Sequence, residues 1–187
     1  MSKLSEILSY NAEFVARKDY ESYRTDRYPE KRMVILTCMD TRLIELLPKA
    51  MNLRNGDVKI IKNAGAIVSH PFGSVMRSIL VAVYTLKAEE VLVIGHHDCG
   101  MTGLAPDTVL NQVKAAGIPQ ATLDILTHAG IDLTHWLTGF PCVSEAVIRS
   151  VDLVRRHPLL PQTVRVHGLV IHPETGKLDL LSAGDSQ

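Results

Sequence analysis

Apolar residues fall in short, branched runs separated by amphipathic stretches, the arrangement of a sheet covered by helices. Residues 33–37 (Met-Val-Ile-Leu-Thr) and 91–94 (Val-Leu-Val-Ile) are apolar almost throughout, as strands buried on both faces are. Residues 58–61 and 164–171 give two further strands, and 178–181 an antiparallel edge strand after the turn Glu174-Thr175-Gly176. Between the strands the period changes. Val75, Ile79, Ala82, Val83 and Leu86 repeat at helical spacing over 74–86, and helix-like sequence also fills 42–51. Pro141 suits the first turn of a helix that runs to 156, where His157-Pro158 stops it. Strands alternating with helices predict an α/β fold: a mostly parallel central sheet of four strands plus the edge strand, with helices on both faces.

Two regions stand outside that alternation. The first thirty residues read as polar helix, with Leu4, Ile7 and Leu8 in a stripe so thin that it suits an arm laid over a second subunit. Residues 104–140 hold helical pieces at 108–116 and 120–128, broken by Gly117, Pro119 and Gly130, and read as a helical excursion from the sheet. A length of 187 residues fits one domain over 1–187, with the arm at about 1–30.

Composition narrows the function classes by exclusion. Lys plus Arg (20) equals Asp plus Glu (20), so no global field draws the chain to nucleic acid or to an anionic membrane. The apolar run 79–83 is far too short to span a bilayer, and the charged N-terminus lacks a secretory apolar core. Three cysteines cannot all pair within one chain, which points to a reducing, cytoplasmic compartment where thiols are free to bind metal.

The chemistry concentrates in two segments, Thr37-Cys38-Met39-Asp40-Thr41-Arg42 and Gly95-His96-His97-Asp98-Cys99-Gly100, each beginning where a predicted strand ends. Ligands of open parallel sheets bind at carboxyl ends of strands, so these two ends are expected to be neighbours. Cys38, His96 and Cys99 then offer two thiolates and one imidazole, a set that suits one Zn²⁺ per chain with its fourth position open. Taken singly, Cys38 reads as a small buried hydrophobe, Asp40 as a helix cap and Arg42 as a solvated residue; together they read as a site. If Arg42 pairs with Asp40, it keeps that carboxylate off the metal. If the pair breaks, Asp40 becomes a fourth ligand. The sequence leaves both states open.

The two segments closely resemble the metal-binding motifs of β-class carbonic anhydrases, Cys-x-Asp-x-Arg and His-x-x-Cys, and the His-x-Asp-Cys-Gly-Met pattern is most similar to the small, archaeal-like branch. Lys62-Asn63-Ala64-Gly65, Pro158 to Pro161, Val166-His167-Gly168 and Gly176-Lys177-Leu178 resemble further family segments. Thr41, Lys62 and Ala66 depart from the commoner residues there. The resemblance implies a zinc enzyme that hydrates CO₂ reversibly to bicarbonate and a proton and favours alkaline pH, working as a homodimer or higher homo-oligomer. It implies that Asp40 orients the nucleophile, Arg42 orients Asp40, and the Gly65 N–H positions the oxygens of CO₂ or bicarbonate. His97 is a candidate proton shuttle, though it reads better as pointing elsewhere, and His128, His135, His167 and His172 read as surface or structural.

Three rivals remain at this stage. Cys142 would complete a closed Cys₃His structural zinc site, but would leave Asp40 and Arg42 without a purpose. The same zinc site could hydrolyse carbon disulfide or carbonyl sulfide, which relatives of the family do. A catalytically silent zinc-binding homologue would have no need of the Asp40–Arg42 pair.

Overall fold

The computed structural model describes residues 2–184. Strands β1 (Met33–Cys38), β2 (Val58–Asn63), β3 (Glu90–His96), β4 (Arg165–Ile171) and β5 (Leu178–Ser182) form one sheet in the order β2-β1-β3-β4-β5. The first four are mutually parallel, and β5 returns antiparallel along β4. The expected four-stranded parallel sheet with an antiparallel edge is therefore the observed one.

Helices α1 (Lys3–Ala16), α2 (Leu43–Ala50), α3 (Ser74–Leu86), α4 (Pro106–Ala115), α5 (Gln120–His128), α6 (Leu133–Leu137) and α7 (Val143–Arg155) complete the described elements, with short 3₁₀ turns at Asp19–Tyr23 and Ala64–Ala66. The period-two alternation of the strands sorts the core into two halves. Val34, Leu36, Val91 and Val93 face α3 and α7, meeting Met76, Ile79, Val147 and Val151. Ile35, Leu92 and Ile94 face the other way, with Leu43 and Leu47 of α2. Both faces are thus covered. Thr37 is the polar interruption in β1, and its hydroxyl donates to the Ile94 carbonyl at 3.0 Å, so its burial leaves no donor unmet. Gly95 lets α7 lie close on β3: a Cβ there would stand 2.7 Å from Val143 Cγ2 and 2.8 Å from Val147 Cγ2.

Three expectations change at their edges. The N-terminal helix ends at Ala16, where Lys18 turns left-handed (φ 60°), and only the 3₁₀ turn follows; the helix does not run through the first thirty residues. None of its residues is buried, and Leu4, Ile7 and Leu8 are exposed. Pro141 lies outside α7, one residue before its N-cap Cys142, because Phe140 is held in an extended bridge to Thr102. The excursion contains a third helix, α6, capped by the Asp132 carboxylate accepting from His135 N–H at 2.9 Å. Its ends are tied together: Phe140 N–H donates to Met101 O (3.1 Å), Gly103 N–H to Phe140 O (2.9 Å) and Gly139 N–H to Leu104 O (2.9 Å). The excursion is a closed loop that returns Phe140 to the sheet beside the place it left.

Candidate active site

Cys38 is the last residue of β1 and His96 the last of β3, and these strands are hydrogen-bonded neighbours in the centre of the sheet. Cys99 follows in the turn after β3. The three ligand atoms lie within 4.8 Å of one another, and all three side chains are buried. Cys142 does not belong to this group, so the closed Cys₃His arrangement is not formed.

The donors fit a tetrahedral zinc on the geometry of the protein alone. The two sulfurs are 4.0 Å apart without forming a disulfide, against about 3.8 Å for two thiolates at about 2.3 Å on a tetrahedral centre. His96 Nδ1 lies 2.8 Å from the His97 carbonyl oxygen, which can only accept, so Nδ1 carries the proton and Nε2 presents a lone pair. That Nε2 is buried and has no hydrogen-bond partner. A buried polar atom left without a partner costs free energy, and with the two sulfurs beside it a metal ion could be that partner.

Electrostatics single out one thiol. The Cys38 pKa is lowered to about 4, chiefly by a hydrogen bond from Cys99, against burial, with His96 and the Gly65 and Asp40 backbone N–H groups adding to it. The Cys99 thiol is pushed up by the Cys38 sulfur and by burial. His96 is held above its usual range, mainly by the Cys38 sulfur beside it. Of the two thiols, Cys38 is thus the more acidic, and a divalent cation would displace the thiol protons.

Asp40 and Arg42 lie in the turn between β1 and α2. The Arg42 guanidinium grips the Asp40 carboxylate with two donors, Nε to Oδ1 at 3.0 Å and Nη2 to Oδ2 at 2.8 Å, while the Arg42 backbone N–H adds a bond to Oδ1 at 2.9 Å. This grip lowers the Asp40 pKa to about 2. Asp40 Oδ2 stands 3.8 Å from His96 Nε2, beside the ligand cluster. Asp40 therefore does not act as the side-chain cap of α2, whose N-cap is Arg42.

Gly65 comes from the end of β2 by way of the 3₁₀ turn. Its N–H points at Cys38 Sγ, 3.4 Å away. Its φ of 82° suits glycine, and a Cβ there would lie 2.8 Å from Phe140 Cε1. His97 is exposed and its ring meets His172 at a tilted contact with centroids 5.8 Å apart; His167 accepts from Gly184 N–H, and His128 Nδ1 bonds the Asp124 carbonyl within its own helix. Two contributions escaped the sequence reading. Phe140 and Met101 wall Gly65, a contact that no spacing announces because the loop closure creates it. Asp98 bonds Arg42, and its place inside the His-x-Asp-Cys segment was the available signal.

Comparison with known proteins gives the same direction. The family model described as carbonic anhydrase matches residues 33–178. YvdA of Bacillus subtilis (strain 168) is 60% identical over 184 residues, covering 98% of this chain and 93% of its own. A carbon disulfide hydrolase of Acidithiobacillus thiooxidans is 30% identical, over 79% of this chain and 76% of its own. Among solved structures, a β-carbonic anhydrase isoform of Trichomonas vaginalis (TvaCA1) superposes with a TM-score of 0.90 at 32% identity, covering 99% of this chain and 100% of that one.

Proposed function

The chain belongs to the β-carbonic anhydrase family, and from that premise we propose that it hydrates CO₂ reversibly to bicarbonate and a proton at a zinc ion held by Cys38, His96 and Cys99. The observation that carries the reading is the Asp40–Arg42 grip beside an unpartnered His96 Nε2: a carboxylate is held next to the ligand cluster without entering it. A structural zinc has no use for such a group, and a silent site has none either.

Zinc bound there would supply Lewis-acid activation of water, which delivers a nucleophile near neutral pH. The chain's own residues do the rest. Asp40, ionised throughout the working pH range, accepts a hydrogen bond from the attacking oxygen and turns its lone pair toward the CO₂ carbon, while the released proton leaves to solvent. Arg42 fixes the carboxylate's orientation with both Nε and Nη2, so this hydrogen bond needs no rearrangement during reaction. The Gly65 N–H supports the Cys38 thiolate. Two thiolates give the metal more charge than imidazoles would, so water is acidified less and activity favours alkaline pH.

Stopped-flow CO₂ hydration on zinc-quantified protein, beside Asp40→Ala, tests the proposal. The wild type should hydrate CO₂ well above buffer at alkaline pH. The variant should keep its zinc and lose about 10²-fold in kcat/KM. Zinc-loaded wild type without hydration would defeat the CO₂ reading. The similarity to a carbon disulfide hydrolase makes carbon disulfide the second substrate to assay, because both molecules are small and linear and the metal ligands do not distinguish them.

We also propose a cytoplasmic homo-oligomer. The free cysteines fit a reducing compartment, and the exposed Leu4, Ile7 and Leu8 stripe on α1, a helix with no buried residue, fits an arm that covers another subunit. Among the described residues, no helix is long and apolar enough to cross a membrane.

A further inference from the structure

Arg42 has more partners than Asp40. Its Nη1 donates to Asp98 Oδ2 at 2.8 Å, and its Nη2, already bonded to Asp40, also donates to the Asp98 backbone oxygen at 3.0 Å. The guanidinium is thus held on two sides: the Nε/Nη2 edge on Asp40, the Nη1/Nη2 edge on Asp98. Asp98 lies between His96 and Cys99, so this second grip ties the ligand-bearing turn after β3 to the turn after β1.

The residue type at this position is informative. Asp98 has a left-handed backbone (φ 54°), where glycine and asparagine sit with less strain. Its side chain is 84% exposed, so it adds little to the core. The backbone alone would accept glycine or asparagine at least as readily as aspartate. What aspartate adds is a charged acceptor aimed at Arg42.

We propose that Asp98 is a positioning residue of the zinc site: by anchoring Arg42 from the far side, it keeps Asp40 in the bidentate grip and out of the fourth metal position. This rests on the functional reading above. The reach of Asp40 makes the anchor matter. Its Oδ2 is 3.8 Å from His96 Nε2, against about 3.3 Å for two ligands at 2.0–2.1 Å on one tetrahedral ion. Asp40 stands beside the ligand group but outside the set of atoms within 4.8 Å of one another, so it must move toward the sulfurs to become a ligand, and Arg42 is what opposes that movement.

An exposed carboxylate–guanidinium contact of this kind changes an equilibrium by about twofold to fivefold. The test uses Co²⁺-loaded protein titrated with thiocyanate, an anion that coordinates only when the fourth position is free, followed by the visible cobalt bands. Asp98→Asn and Asp98→Gly both suit the left-handed backbone and should bind one Co²⁺. Each should weaken thiocyanate binding about twofold to fivefold, because the competent fraction of the site falls. The sign is diagnostic: removing a negative charge beside the site would by Coulomb attraction alone tighten anion binding. In an Asp40→Ala background, Asp98→Asn should not weaken thiocyanate at all. Unchanged or tighter binding in both single variants overturns the inference, and so does weakening that persists without Asp40. Wild-type protein that binds no thiocyanate counts instead against the open zinc site itself.

Discussion

Replacing Gly65 with alanine tests how tightly the backbone around the site is built. The added Cβ would lie 2.8 Å from Phe140 Cε1 and 3.2 and 3.3 Å from the Met101 side chain. Phe140 cannot retreat freely, because its N–H and carbonyl are both bonded to the neck of the closed loop, to Met101 and Gly103. Overpacking of this kind costs about 1–3 kcal/mol. The φ of 82° adds about 1–2 kcal/mol for a residue with a Cβ. The sum, about 2–5 kcal/mol, is a large part of a typical domain's stability. It also falls on the N–H that donates to Cys38 Sγ, so metal affinity should drop alongside stability. Urea unfolding of the zinc-loaded and zinc-free proteins reads the first effect, and zinc competition with a chromophoric chelator reads the second. An unfolding free energy within about 0.5 kcal/mol of wild type, the range of an inconsequential surface change, would refute the packing argument.

Three further outcomes follow from the same geometry. Chelating the zinc should abolish hydration and release two thiols to a maleimide probe; mass mapping near pH 6.5, where a thiolate with a pKa of about 4 is fully formed, should find Cys38 modified before Cys99, and the reverse order would contradict the charge assignment. Cys142→Ser should leave one zinc per chain and kcat/KM unchanged, since Cys142 stands outside the ligand group; loss of zinc would restore the structural Cys₃His reading. Because Arg42 lowers Asp40 to about 2, the pair stabilises the fold fully above the unfolded carboxyl value and less as pH falls toward 2. In zinc-free protein the stability gap between wild type and Arg42→Gln, measured by urea unfolding, should therefore shrink to about half between pH 5 and pH 3; a constant gap would show that the pair does not carry the pKa shift.

The sequence was legible where one side chain's role is set by its immediate neighbours. Residues 33–37 and 91–94 could only be buried strands, and the turn chemistry at Glu174-Thr175-Gly176 announced β5. It was less legible where the chain closes on itself. The ends of the excursion are joined by backbone bonds between Met101 to Leu104 and Gly139 to Phe140, and backbone bonds leave no mark in residue type. Hence Phe140's place against Gly65 and the exclusion of Pro141 from α7 were both missed. Asp98 was missed for another reason: an aspartate among metal ligands has several ordinary explanations, and only the 2.8 Å contact to Arg42 selects one.

Strand order explains why three ligands distant in sequence need no further device to meet. The chain leaves β1 through α2 to reach β2 on one side, then crosses back through α3 to place β3 on the other side of β1. The two connections run over opposite faces of the sheet, as the two halves of the core record: α2 with Leu43 and Leu47 on one, α3 with Met76 and Ile79 on the other. At the carboxyl ends of β1 and β3 the chain therefore parts in opposite directions and leaves a crevice between them. Cys38 and His96 are the residues that end those two strands. The parallel register, which sets Thr37 opposite Ile94, carries the strand ends to the same level. Cys99 then needs only the short turn after His96 to reach them. The same crevice receives Asp40 from the turn after β1 and Asp98 from the turn after β3, with Arg42 bonded to both. A substitution that altered the β1–β3 register would move every member of the site at once. Substitutions at Asp40, Arg42 or Asp98 leave the crevice in place and change only what stands in it, which is why metal retention with altered anion binding or hydration is the expected signature of all three.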